Sequence, residues 1–212
     1  KLITKFKETS DLVVSAYCLT DRPEEVAKFC TPLIPQHKVP GWWNKPLIFD
    51  ANLPIEQESW CLYMDLDIVI AKNFDEEIKN VMDSGLEDRI HCVSDALNWM
   101  DNKFSSSWMM FKQGHQQTIY EKFISNIDTV TRYPGGDQVW IGKEVNPKVR
   151  YIDDEYPFLK KNLKFHMGKK ILGQWKFPQV LDTRIKLIDC GGKPKPHQLT
   201  ELNYIKEHWH NV

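Results

Sequence analysis

The sequence has no Cys-x-x-C spacing, no visible linker, almost no net charge, and no apolar run approaching the roughly 20 residues of a membrane-spanning helix. Each absence excludes a class of protein. The cysteines Cys18, Cys30, Cys61, Cys92 and Cys190 lack the spacing of a zinc site or a disulfide framework, and three of them fall in expected strands. They read as reduced core thiols of a protein from a cytoplasm-like compartment. No segment has the length of a membrane span or the form of a secretory leader. A formal charge of −1 argues against a general nucleic-acid binder. With no linker, the 212 residues are expected to form a single domain, long enough to bury a core without staples. What the chain does have is apolar and aromatic surface, with 42% hydrophobic residues including eight Trp, seven Tyr and ten Phe, as in a folded globular protein.

The chain is organised around Trp60-Cys61-Leu62-Tyr63-Met64-Asp65-Leu66-Asp67-Ile68-Val69-Ile70. This run is rich in β-formers and has the pattern of a buried central strand, interrupted by two carboxylates. In an extended chain residues two apart point the same way, so Asp65 and Asp67 are expected on one face and Leu66 on the other. An unpaired carboxylate inside an apolar strand is costly, and two side by side repel each other. A divalent cation relieves both penalties. Mg²⁺ or Mn²⁺ commonly takes one or two protein carboxylates and completes its shell with substrate phosphate oxygens and water. The alternative is that the aspartates cap a turn after a strand ending at Met64, or pair with lysines. The strand-like residues that resume at Ile68 argue against it.

The remaining segments predict an α/β chain. A helix is expected over residues 1–9, in what reads as the middle of an element; because such a domain ordinarily begins with a strand, an earlier piece is expected to be missing. A strand is expected over 11–19, ending at Thr20-Asp21-Arg22-Pro23, and a helix from Pro23 to about Cys30. Turns between a strand and a helix bind ligands in open α/β sheets, although Thr20 and Asp21 serve equally as helix caps. The proline-bearing residues 31–40 are expected to be irregular and to deliver Gly41-Trp42-Trp43-Asn44-Lys45. Of the adjacent tryptophans one is expected to pack inward and the other to line a cleft, with Lys45 either reaching a phosphate or standing as a solvated helix charge.

Further along, a helix to about Met82, strands at 90–93 and 107–111, and an amphipathic helix with Ile119, Phe123 and Ile127 on one face are expected. Met109 and Met110 read as core filler. In Gly135-Gly136-Asp137-Gln138 the aspartate can cap a short helix, while the glycine pair permits a tight backbone and close approach of a substrate. Residues 146–182 are basic and aromatic with little regular pattern, as in a binding loop. A short strand at 184–188 and a capped helix at 200–210 close the chain.

Four motifs in this order carry a resemblance: Gly41-Trp42-Trp43-Asn44-Lys45, Asp65-Leu66-Asp67, Gly136-Asp137-Gln138, and Gly192-Lys193-Pro194-Lys195-Pro196. Together, spread over about three quarters of the chain, they resemble the GT-A glycosyltransferases, particularly the family-8-like and related bacterial or viral enzymes that use nucleotide-sugars. The resemblance implies a Rossmann-like, mixed and mostly parallel sheet flanked by helices. It also implies a UDP- or GDP-sugar donor, with a glycan, lipid or protein acceptor. Asp65 and Asp67 would hold Mn²⁺ or Mg²⁺ on the donor's diphosphate, Lys45 would touch the donor, and Asp137 and Gln138 would lie at the reacting sugar. Lys193 and Lys195 would clamp the diphosphate, and Ser106 and Ser107 fall where the family often carries an Asn-Ser pair.

Two departures stand out. The family's first strand and nucleotide-binding turn are absent from this sequence. Its metal-binding histidine is replaced by Gly191, leaving Asp189, His197 or water as the third ligand, with His197 otherwise placed for a phosphate contact or a helix cap. A sugar-binding domain without turnover and a sugar nucleotidyltransferase are the competing classes.

Overall fold

The computed structural model describes residues 1–96 and 103–210. Its first helix, α1 (Leu2–Thr9), forms as expected and buries Phe6. Strand β1 (Tyr17–Leu19), helix α2 (Pro23–Val26) and strand β2 (Thr31–Leu33) follow. Of residues 11–19 only the last three join a ladder, and Val13 and Val14 stay exposed. A β-branched run becomes a strand only where a neighbour satisfies its backbone, and β1 finds that neighbour in the parallel β2. The segment expected to be irregular thus contributes a strand, with Pro32 tolerated in a two-stranded sheet that is all edge.

A 3₁₀ helix over Gly41–Phe49 leads to β3 (Trp60–Met64), β4 (Ile68–Ile70) and α3 (Asp75–Met82). Then come β5 (Ile90–Ser94), β6 (Phe104–Lys112), α4 (Gln117–Ser125), α5 (Ile127–Val130) and α6 (Gly136–Val145). The last part holds β7 (Val149–Tyr151), β8 (Lys160–Asn162), β9 (Lys169–Ile171), β10 (Gln174–Lys176), β11 (Leu187–Asp189) and α7 (Asn203–Ile205).

Among the described residues the strands form four small sheets rather than one mostly parallel sheet. β1–β2, β5–β7 and β8–β11 are parallel, while β5–β6, β4–β11 and β9–β10 are antiparallel. Connection length accounts for part of this, because a parallel pair needs a crossover of about a dozen residues and a two-residue turn such as that between β9 and β10 reverses the chain.

Contacts divide the chain into two compact units, Lys1–Val13, Met64–Asn80 and Ile152–Val212 in the first, and Val14–Tyr63 and Val81–Tyr151 in the second. The second unit is built on the sheet ordered β3-β6-β5-β7, in which β6 is buried from Phe104 to Phe111. Its core joins Trp43, Phe49, Cys92, Met109, Phe123 and Trp140. Met109 and Met110 are the core filler expected of them, and Trp43 stacks on Phe123 at 6.2 Å. The first unit carries the sheet ordered β4-β11-β8, whose core includes Val69, Leu163, Ile188, Leu202 and Ile205. All five cysteines are free thiols, and no helix among the described residues is long and apolar enough to cross a membrane.

Candidate functional site

The central run breaks where its carboxylates stand. β3 stops at Met64, the Asp65 carbonyl accepts the Ile68 N–H at 3.1 Å, and β4 resumes at Ile68 in a different sheet. Asp65 and Asp67 therefore sit on a tight turn at the carboxyl end of β3. With the strand ending at Met64, as in the alternative of a turn, the alternation of an extended strand does not govern them, and Leu66 is 74% exposed. β3 also stands at one edge in the order of its sheet, while the interior strands β6 and β5 are the buried ones, over 104–111 and 90–93.

In the first unit, antiparallel pairing of β4 with β11 sets Ile68 opposite Asp189, which carries the segment after β11 to the aspartate turn. The Cys190 N–H donates to the Asp67 carbonyl at 3.2 Å, and the Lys195 ammonium pairs with Asp67 Oδ2. Asp189, at the end of β11, is bound through both oxygens. Oδ2 accepts from Lys160 Nζ at 2.8 Å and Oδ1 accepts the Gly191 N–H at 2.8 Å. Lys164 Nζ reaches the Gly191 carbonyl at 3.5 Å. A Cβ on Gly192, whose φ is +80°, would stand 3.0 Å from that ammonium. Burial, and next the charge of Lys195, hold the Lys164 pKa below the usual lysine value. Burial pushes the Cys190 thiol up to about 12, aided by the charges of Asp189 and Asp67. Lys193 and His197 are exposed, the latter on the 3₁₀ turn Pro196–Gln198.

Lys160 is visible in the sequence only as part of the Lys160-Lys161 pair, and Lys164 carries no motif. Both lie in the basic stretch taken as a binding loop, which in fact holds β8 and a wide helical turn over Leu163–Met167. Their only sequence signal is lysine at positions 160, 161 and 164 of that stretch, and topology decides which of them faces the β11 end.

Among the described residues no three His, Cys, Asp or Glu side chains group closely enough to hold a metal. Two carboxylates from the Asp65–Asp67 turn suit Mg²⁺ or Mn²⁺ if a substrate and water supply the other oxygens.

In the second unit a separate cluster forms from residues far apart in sequence. Lys45, on the 3₁₀ helix, places Nζ 2.8 Å from Ser106 Oγ and 3.3 Å from Asp137 Oδ2, with Lys45 and Asp137 side chains only 10% and 11% exposed. The same ammonium lies 5.4 Å from the centre of the Tyr63 ring. Gln138 Oε1 accepts the Ser106 N–H at 3.2 Å. Lys45 is thus no solvated helix charge. Asp137 lies in the first turn of α6, whose N-cap position is taken by Gly135. Gly135 and Gly136 have φ of +83° and +78°, a left-handed pair that explains both glycines on backbone grounds. Asp137 also lines an open cleft of about 510 Å³, together with Trp42, Trp43, Arg132, Tyr133 and Gly136. Trp43 is buried and Trp42 is 67% exposed, the division expected for the pair.

Three further candidates, Ser107, Thr20 and Asp21, are placed otherwise. Ser107 is one residue further along β6 and points to the other face, where its Oγ lies 3.1 Å from Ser105 Oγ. Thr20 follows β1 and accepts the Arg22 N–H at 3.0 Å through Oγ1, which is the local turn-forming role, and Asp21 beside it is exposed.

No family model and no curated protein matches the chain. Its fold does match a solved structure, that of the glycosyltransferase GlyE from Streptococcus pneumoniae TIGR4, with a TM-score of 0.65 at 12% sequence identity. The match covers 96% of this chain and 55% of that one, so the chain spans about half the length of the protein it matches. At this identity the likeness is one of architecture. The chain has the fold of a GT-A type glycosyltransferase.

Proposed function

We propose that the chain is a metal-dependent glycosyltransferase domain that moves a sugar from a nucleoside-diphosphate sugar to an acceptor hydroxyl. The observation that carries this reading is the convergence of Lys45, Ser106, Asp137 and Gln138 in a chain with a glycosyltransferase fold. Those residues come from three separate motifs, and a structural ion pair needs neither Gln138 nor the open cleft beside it.

In the reaction the bond from the anomeric carbon to the phosphate oxygen breaks and a bond to the acceptor oxygen forms. The acceptor's proton is lost, and the electron pair leaves with the nucleoside diphosphate. Asp65 and Asp67 would hold Mn²⁺ or Mg²⁺, whose chemistry when bound would be to offset charge on that leaving group. Lys195, Lys164 and Lys193 are the cations for the diphosphate oxygens. Asp189 is assigned to fixing Lys160 rather than to the metal, because both of its oxygens are already engaged. Lys45 orients Asp137, and Asp137 with Gln138 holds the hydroxyls of the reacting sugar.

The second reading is a nucleotide-sugar or glycan-binding domain without turnover, favoured by Gly191 at the position of the family's metal-binding histidine. Incubating the protein with UDP- and GDP-sugars plus Mn²⁺, and following nucleoside diphosphate, separates the two. Release supports the transferase, and binding without release supports the second reading. Pyrophosphate formed from a nucleoside triphosphate and a sugar phosphate would instead identify a nucleotidyltransferase.

A further inference from the structure

The hairpin of β9 and β10 breaks several local rules at once. Its two-residue turn is Leu172-Gly173, with φ of +48° and +80°. Turns with both central residues left-handed select Asn-Gly or Gly-Gly, and a leucine is strained there. The leucine gains no packing in return, being 99% exposed, and its neighbour Ile171 is half exposed. Further back, Lys169 and Lys176 are direct cross-strand partners, a juxtaposition of like charges that weakens a hairpin. Residues 156–181 contain Lys160, Lys161, Lys164, Lys169, Lys170 and Lys176 without a single Asp or Glu, in a chain whose overall charge is −1. Violations with no gain inside the fold indicate a gain outside it.

The base of the hairpin is firmly held. Trp175 meets Phe165 edge to face at 5.7 Å. A Cβ on Gly168 would come within 2.8 Å of the Lys164 carbonyl and 3.1 Å of the Trp175 and Phe177 rings. The exposed tip therefore projects from a packed base.

We infer that this hairpin docks on an anionic lipid surface. The residues are graded along its length in the order that a membrane interface demands. Ile171 and Leu172 lead, the opposed pair Lys170 and Trp175 comes next, and Lys169 with Lys176 trails. Two residues of strand rise separate the leading from the trailing positions by about 7 Å, within the depth to which interfacial elements sink. Leu172 and Ile171 enter the acyl boundary, the Trp175 ring lies at headgroup depth, and the three lysines meet lipid phosphates. An acidic protein surface would satisfy the lysines but leaves the convex, fully exposed Leu172 without a partner. The contact is independent of the donor chemistry proposed above.

Flotation of the full chain with vesicles tests it, using phosphatidylcholine alone and phosphatidylcholine mixed with phosphatidylglycerol. The protein is expected to float with the anionic vesicles only. Replacing Lys169, Lys170 and Lys176 together by Ser is expected to weaken binding about a hundredfold, about fivefold for each lysine. Leu172→Asn places a residue suited to the turn, so it is expected to keep or raise the melting temperature while weakening binding about tenfold. Failure of the wild type to bind anionic vesicles, or equal binding by Leu172→Asn, would overturn the inference. So would capture on immobilised polyglutamate without any vesicle binding, which would point to an acidic protein partner.

Discussion

Lys45 Nζ bridges Ser106 Oγ at 2.8 Å and Asp137 Oδ2 at 3.3 Å, tying the 3₁₀ helix to β6 and to the first turn of α6. The pair is nearly buried, so removing one partner leaves the other charge poorly compensated. Lys45→Met is expected to destabilise the second unit by about 3 kcal/mol, measured by urea unfolding. Adding Asp137→Asn in the same chain should restore a large part of that loss, because the stranded charge is then removed. Simple additivity of the two substitutions would show that the ammonium and the carboxylate are not coupled.

The Lys195 ammonium pairs with Asp67 Oδ2, one of the two carboxylates proposed to hold the metal. Lys195→Ala should therefore strengthen binding of Mn²⁺ alone, by up to about fivefold because the pair is partly exposed. It should weaken binding of Mn²⁺ together with UDP, since a cation proposed to meet the diphosphate is lost. Calorimetry on the two titrations checks both signs, and parallel changes would contradict the assignment.

His91 supplies a prediction about pH. It is fully buried in β5, Nε2 donates to the Leu86 carbonyl at 3.1 Å, and Nδ1 has no hydrogen-bond partner among the described residues. Burial holds its pKa at about 4, with the charges of Arg150 and Arg89 lowering it further. In the unfolded chain the ring titrates near 6.5. Between these values the unfolded state binds the extra proton, so stability falls as the solution is acidified from about pH 6.5 towards 4. The loss attributable to this group approaches about 3 kcal/mol. Denaturant midpoints measured across that interval should decline, and His91→Gln should flatten the decline.

Much of the fold was legible where pattern and packing agree. α1, α3 and the helix carrying Ile119 and Phe123 follow from periodicity, because each has one apolar face and a core to receive it. β6 was half seen. Its first part is Phe104-Ser105-Ser106, whose serines hide a buried strand from a hydrophobicity reading and are satisfied by hydrogen bonds that only the folded chain provides. The strand expected through Asp65 and Asp67 became a turn because the apolar residues on either side belong to different sheets, and sequence does not record sheet membership. Lys45, Ser106, Asp137 and Gln138 were picked out by motif and are brought together. The meeting of Lys160 and Lys164 with the end of β11 was not legible because it depends on the β4-β11-β8 order.

Turnover of nucleotide-sugars with and without metal, by wild type and by Asp67→Asn, tests the central claim most directly. Nucleoside diphosphate should appear from at least one UDP- or GDP-sugar when Mn²⁺ is present. It should cease on chelation and fall at least about a hundredfold in Asp67→Asn, given the several kcal/mol that Lewis-acid stabilisation of a leaving group supplies, with the melting temperature little changed. Release that persists under chelation, or at an unaltered rate in Asp67→Asn, would contradict the metal-dependent account, and no release from any donor would contradict the transferase itself.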